Sequence, residues 1–412
     1  MVNSETLKKP WYRWYALGIL LLVYTSSHVD RQIMGILLEP IKTELNASDT
    51  QMGFLVGLTF AIFYATLGIP IAMLADRSNR RNIIAIATAI WSGMTAVCAL
   101  VGSYSQLALA RIGVGIGEAG SSPPSHSMIS DLFPQSERGT AMGIFAIGVN
   151  LGLLIAYLGG GWMSEHWGWR TTFIVVGLPG LLIALLVRFT LVEPPRGGVE
   201  AEPKDVAKAP SFKEVARTLW RTPAARHVIF GSSLAGFVGY GMTLWLPAFF
   251  VRSHGLTQTE TGMTLALMTG VVGGLGTFMA GRLADTLGKR DPRWLAWIVA
   301  VGKGGLVPFL VAFFLIMDLK SALIVYLIPA FFGGFYLAPT FAICLFFLNI
   351  IGMGFGPQGV GILSDYLEAD YGVESLRYSL MIFSLINVWC AFHYFLGAKT
   401  LVEDSARNAR LG

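Results

Sequence analysis

The chain has 412 residues, of which 54% are apolar, 12% aromatic and only 13% charged. Soluble proteins carry about a quarter charged residues, so this composition excludes a soluble globular domain. The net charge of +5 does not indicate nucleic acid, because the basic residues fall in loops between apolar runs rather than in one patch.

Apolar stretches near the length of a bilayer crossing recur along the chain and predict an all-α integral membrane protein with twelve spanning helices. The chain opens on Trp11-Tyr12-Arg13-Trp14, an aromatic and basic belt leading into a genuine span rather than a cleavable signal peptide. The first six helices are expected near 14–38, 50–75, 82–102, 105–129, 139–164 and 170–191. A stretch rich in Pro, Gly and charge follows at 193–222 and reads as a linker. The second six are expected near 223–251, 257–284, 293–316, 320–344, 345–367 and 376–400. The domains are therefore 1–192, the linker 193–222, and 223–412. With a cytoplasmic N-terminus, only Lys42, Arg170, Arg252, Lys320 and Arg377 fall in outer loops, so the positive-inside rule places both termini in the cytoplasm of an inner or plasma membrane.

The two halves repeat one another. Leu74-Ala75-Asp76-Arg77 and Leu283-Ala284-Asp285-Thr286 stand 209 residues apart, as do Gly53 and Gly262, and the helix-start boxes Ser48-x-x-Gln51 and Thr257-x-x-Glu260. Repeated membrane-spanning halves are an architecture of secondary transporters. The separation shrinks to 200 where Ser364-Asp365 matches Ser164-Glu165. No turn is evident between helices ten and eleven, so a break with missing residues is expected at Cys344-Leu345.

Ionisable groups inside a membrane are costly and mark function by default. Asp30 and Arg31 lie near the outer end of helix one, and Arg111 and Glu118 share one face of helix four two turns apart. Glu118, nearer the midplane, has no cation at its own depth and is suited to exchange a proton. A static ion-pair network is the plainer alternative. In the second half, Gly239 and Tyr240 replace Asp30 and Arg31, and aromatics such as Phe331-Phe332 are read mostly as packing. His28 reads as a solvated helix-end residue, Lys303 as snorkelling or paired, and Gly113, Gly115 and Gly117 as close helix packing. Cys98, Cys344 and Cys390 read as inert core thiols. No metal-ligand spacing, nucleophile elbow or phosphate loop is evident, so neither a metal, a cofactor nor an enzyme activity is expected.

Gly281-Arg282-Leu283-Ala284-Asp285-Thr286-Leu287-Gly288-Lys289-Arg290 resembles the loop motif of the major facilitator superfamily. Ala72 through Arg81 is the first-half copy, departing at Ala72 and Asn79, where the pattern has glycine. The resemblance implies two pseudo-symmetric six-helix bundles, with gating by Asp76, Arg77, Arg80, Asp285, Lys289 and Arg290. Val29-Asp30-Arg31-Gln32-Ile33 and Arg111-Ile112-Gly113-Val114-Gly115-Ile116-Gly117-Glu118-Ala119 resemble the Spinster branch more narrowly. That branch implies a proton-linked transporter of lysolipid or sphingolipid-like amphiphiles, with Asp30 and Glu118 as proton-linked acids and Arg31 and Arg111 as substrate or coupling cations. The organic anion:cation symporters share the Asp-Arg pair and are the second reading; a non-transporting membrane sensor is the third. Helix five lacks the Gly-Pro pair of many drug antiporters. The expected partners are an amphipathic or lipid substrate, protons and the bilayer, with no nucleic acid and a monomeric chain.

Overall fold

The structure, a computed structural model, describes residues 9–197, 212–335 and 342–409. The described residues are helical throughout, with short connections and no strand. This is what a bilayer demands, since each backbone N–H and C=O must find a partner inside its own segment. Among the described residues, seven helical stretches are long and apolar enough to cross a membrane. One of these, α8 (Gln135–Thr190), has 56 residues and would rise ~84 Å if straight, far more than a bilayer requires. It turns back at Gly168, whose φ of 76° suits a residue without Cβ. The stretch Leu345–Leu401 likewise reverses at Gly372, with φ 54°. The remaining crossings come from α1 (Pro10–Ile36), from α6 (Tyr104–Glu118) with α7 (Ser122–Leu132), and from α15 (Leu319–Gly333). The twelve predicted helices are all represented.

Several break internally where the sequence suggested continuity. α3 (Asp49–Val56) and α4 (Leu58–Ala75) are separated by Gly57, whose φ of −106° and ψ of −86° leave the helical region. α11 (Gln258–Leu265) passes into a π-helical stretch, Ala266–Val272, before α12 (Gly273–Gly288). The starts of α3 and α11 are capped as expected: Ser48 Oγ and Gln51 exchange hydrogen bonds with each other's backbone, and so do Thr257 and Glu260.

The chain divides into two compact units, one of residues 1–47, 59–207 and 257–262, the other of 48–58, 208–256 and 263–412. In the first unit, α1 and α5 (Arg80–Cys98) both pack along α8. A Cβ at Gly177 would come within 2.8 Å of Ser92 O, so the helices touch backbone to backbone. In the second unit, α10 (Pro223–His254) packs against α18 (Ser375–Ala409) and α17 (Gly356–Tyr371), and α3 lies on α17. A Cβ at Gly53 would meet Pro357 O at 2.7 Å. Phe335 sits in a core with Ala280 and Ile298, and Phe331 and Phe332 pack on it, in keeping with a packing role.

The break expected at Cys344-Leu345 is not there. α16 (Ala342–Phe347) runs through both residues and continues by a π-helical stretch, Leu348–Phe355, into α17. Helix ten ends at Gly333, so the connection falls before Ala342 and largely outside the described residues. Lys303, on α13 (Trp294–Gly305), is buried and donates to Gly333 O at 3.2 Å. Rather than snorkelling, it caps the carbonyl end of α15.

Candidate functional site

The first unit brings Asp30, Arg31, Arg111 and Glu118 together. The approach depends on the glycines of α6. A Cβ at Gly115 would lie 2.8 Å from Phe60 O on α4, and one at Gly117 would lie 2.6 Å from Trp91 N on α5. Only hydrogen fits at either place, so α6 presses close to both helices and carries Arg111 and Glu118 inward, where both are buried.

Arg31 crosses from α1 to α6. Its Nε donates to Glu118 Oε2 at 2.5 Å, between side chains 14% and 0% exposed. The same guanidinium stands 4.4 Å from the Tyr64 ring centre and 5.2 Å from that of Phe60. Arg111 lies 5.8 Å from the Phe60 ring on its own account. Two guanidiniums thus share one aromatic ring, whose quadrupole offsets part of their desolvation. The expectation that Glu118 lacks a cation is therefore corrected. The depth count placed Arg31 nearer the membrane surface but ignored the reach of its long side chain toward the midplane.

The acid outside this ion pair is Asp30. It is fully buried and forms no close ion pair with a described residue. Thr95, on α5, lies beside it within hydrogen-bonding reach, and Arg111 and Arg31 act on it through charge. Arg111 Nε and Nη1 and Glu118 Oε1, whose charges act on Asp30, are further buried polar atoms without a hydrogen-bond partner among the described residues. Proteins leave few such atoms, since each costs about 1–3 kcal/mol. His28, predicted to be solvated, is buried and binds Tyr24 O through Nδ1 at 2.9 Å.

The residues given gating roles divide differently. Asp76 and Arg77 are exposed just beyond α4, and Asp76 forms no ion pair with a described residue. Asp285, Lys289 and Arg290 are exposed at the end of α12 and just after it. Arg80, by contrast, is 1% exposed and binds Glu193 Oε1 at 2.7 Å, Ser127 Oγ at 2.8 Å, Pro194 O at 2.8 Å and the Asp131 carboxylate. It ties the starts of α5 and of the linker to α7. Arg196 adds bonds to Ala75 O and Ser78 O.

A second cluster went unnoticed in the sequence. Arg252 grips both carboxylate oxygens of Asp49 at 2.6 and 2.7 Å, and Ser364 Oγ donates to the same group at 2.6 Å. Asp365 in turn accepts from the backbone N–H groups of Asp49 and Thr50 at the start of α3. Its only sequence signal was a capping box followed by an acid, indistinguishable from an ordinary helix start.

Comparison with known proteins decides the family. The family model described as Major Facilitator Superfamily matches residues 20–364. The chain belongs to the Major Facilitator Superfamily. Within this superfamily it is a transporter of the Spinster type. It is 35% identical to an MFS-type efflux pump of Mycolicibacterium smegmatis, over 97% of this chain and 96% of that one. It is 27% identical to human protein spinster homolog 1, over 96% of this chain and 83% of the relative. A crystal structure of a bacterial homologue of the human lysosomal transporter Spinster, inward-facing and unoccupied, superposes with a TM-score of 0.87 at 32% identity, covering 96% of this chain and 99% of that one.

Proposed function

We propose that this facilitator moves amphipathic, anionic substrates of lysolipid or sphingolipid type by alternating access, coupled to protons, with both termini in the cytoplasm. The observation that carries the reading is Asp30, a wholly buried carboxylate outside the Arg31–Glu118 ion pair, set among two guanidiniums and the Glu118 carboxylate. With both acids ionised, the four charges balance. A proton on either acid leaves one net positive charge in a low-dielectric place, where an anionic head is attracted far more strongly than in water. Proton and anion then favour each other's binding, and by linkage each favours the other equally. The resemblance to the Spinster branch implies an amphiphile as cargo. Asp76 and Asp285, with Arg77, Arg80, Lys289 and Arg290, remain the proposed gating groups.

A second reading has its own support. The chain is 26% identical to a probable galactarate/D-glucarate transporter of Bacillus subtilis over 69% of its length, which favours small carboxylates. Proteoliposomes carrying the purified chain decide between them. A labelled lysophospholipid and a short dicarboxylate are offered under an imposed proton gradient, with Asp30→Asn and Glu118→Gln alongside. Uptake of the lysolipid alone, tighter binding at lower pH, and loss of that pH dependence in Asp30→Asn are expected. Parental pH dependence in both variants would overturn the coupling, and uptake of only the dicarboxylate would overturn the cargo.

A further inference from the structure

The linker contains a helix that transport does not call upon. α9 (Phe212–Arg221) precedes α10 by a single residue, Thr222, whose φ of −97° and ψ of 104° turn the chain sharply. Because α10 is a membrane span, α9 lies at the membrane surface by connection alone. At 100° per residue, Leu219 falls on one side of α9, and Arg217 and Arg221 on the other. Trp220 falls on the boundary between the two.

The structure agrees with that division where it describes the side chains. Leu219 is buried, Arg217 and Arg221 are exposed, and Trp220 is 62% exposed. Trp220 is not free in solvent, however. Its ring packs edge-on against Phe230 at 6.4 Å, and Phe230 is itself 44% exposed on the spanning helix α10. A large aromatic touching the bare apolar flank of a span sits at the headgroup level, as tryptophan does in membrane proteins generally. A merely solvated basic helix would have no reason to lay its tryptophan there. Within residues 212–226 the sequence has four basic residues, Lys213, Arg217, Arg221 and Arg226, and one acid, Glu214; Asp404 adds a second acid at Ala224.

We infer that α9 is an interfacial helix that binds the anionic phospholipid headgroups of the leaflet at the start of α10, with Trp220 as its anchor and Arg217 and Arg221 as its phosphate contacts. Guanidinium pairs well with phosphate, and Leu219, buried against the rest of the protein, fixes the roll of α9 so that Arg217 and Arg221 face outward. The helix then fixes the entry to the second unit against the bilayer.

The test uses the full chain in nanodiscs of zwitterionic phosphatidylcholine into which brominated phosphatidylglycerol is titrated, with brominated phosphatidylcholine as control. The part of the tryptophan emission that Trp220→Phe removes is the Trp220 signal. It should be quenched at a lower mole fraction of the anionic lipid than of the zwitterionic one. Arg217→Gln and Arg221→Gln should each raise the half-quenching fraction about 5-fold, the equivalent of ~1 kcal/mol per surface cation. Both arginines are exposed, so the variants should fold. Quenching by neither lipid would show that α9 lies away from the bilayer and overturn the proposal. Equal quenching by both, unchanged in the double variant, would overturn headgroup recognition.

Discussion

The Arg31–Glu118 pair makes a quantitative claim. Both partners are desolvated, and Glu118 is wholly buried. Glu118→Gln keeps the shape but leaves Arg31 charged without its carboxylate. Breaking a buried pair from one side costs ~3–5 kcal/mol. Tyr64 and Phe60 still face the guanidinium, and Arg31 is 14% exposed, so the loss should lie near ~3 kcal/mol, the low end of that range. Asp30→Asn is the contrast, since it removes a buried charge that forms no close ion pair with a described residue and should cost less than Glu118→Gln. Arg31→Gln combined with Glu118→Gln should recover much of the single-variant loss, because neither member of the pair is then left stranded without the other. Thermal unfolding of the four proteins in one detergent measures the order. If Glu118→Gln unfolds with the parent, or Asp30→Asn falls as far as Glu118→Gln, the assignment of paired and unpaired acids is wrong.

Arg80→Met should destabilise the first unit by roughly 3 kcal/mol, since it strands Asp131 and Glu193 together; limited proteolysis after residue 193 should become faster. Gly117→Ala places a methyl against the Trp91 backbone, an overpacking that costs ~1–3 kcal/mol and displaces Glu118, so thermal stability and substrate binding should fall together. Outside the spans, hydrogen bonds from Trp169 Nε1 and Arg170 hold the Glu44 carboxyl below the ordinary carboxylate range. A depressed acid contributes stability above its unfolded-state value and loses it as pH falls through the folded one. Glu44→Gln should therefore flatten the acid limb of the unfolding profile, and a limb identical to the parent's would refute this.

The features legible in the sequence are those set by local spacing. Ser48-x-x-Gln51 and Thr257-x-x-Glu260 need only their own backbone to form, and both formed. Gly113-x-Gly-x-Gly117 was legible as packing because only glycine removes a Cβ from a helix face. That Asp30, Arg31, Arg111 and Glu118 share a region followed from depth along the helices. Which acid takes which cation did not, because a long flexible side chain erases about a turn of depth difference. Asp49 with Arg252 was beyond reach, since 203 residues separate the partners and neither has a local signal. α9 was overlooked because the Pro, Gly and charge around it invited a linker reading, although its apolar and basic positions alternate at helical spacing.

Gly57 and Ala266 stand 209 residues apart, the separation that relates the two halves. At Gly57 the first copy of the helix abandons α geometry, and at Ala266 the second begins its π-helical stretch. The means differ: one copy relies on a residue without a side chain, the other on a wider turn. The location does not. A duplicated helix has thus kept the place where it departs from α geometry while exchanging the chemistry that provides the departure. The irregularity at that level belongs to the inherited architecture rather than to any one amino acid.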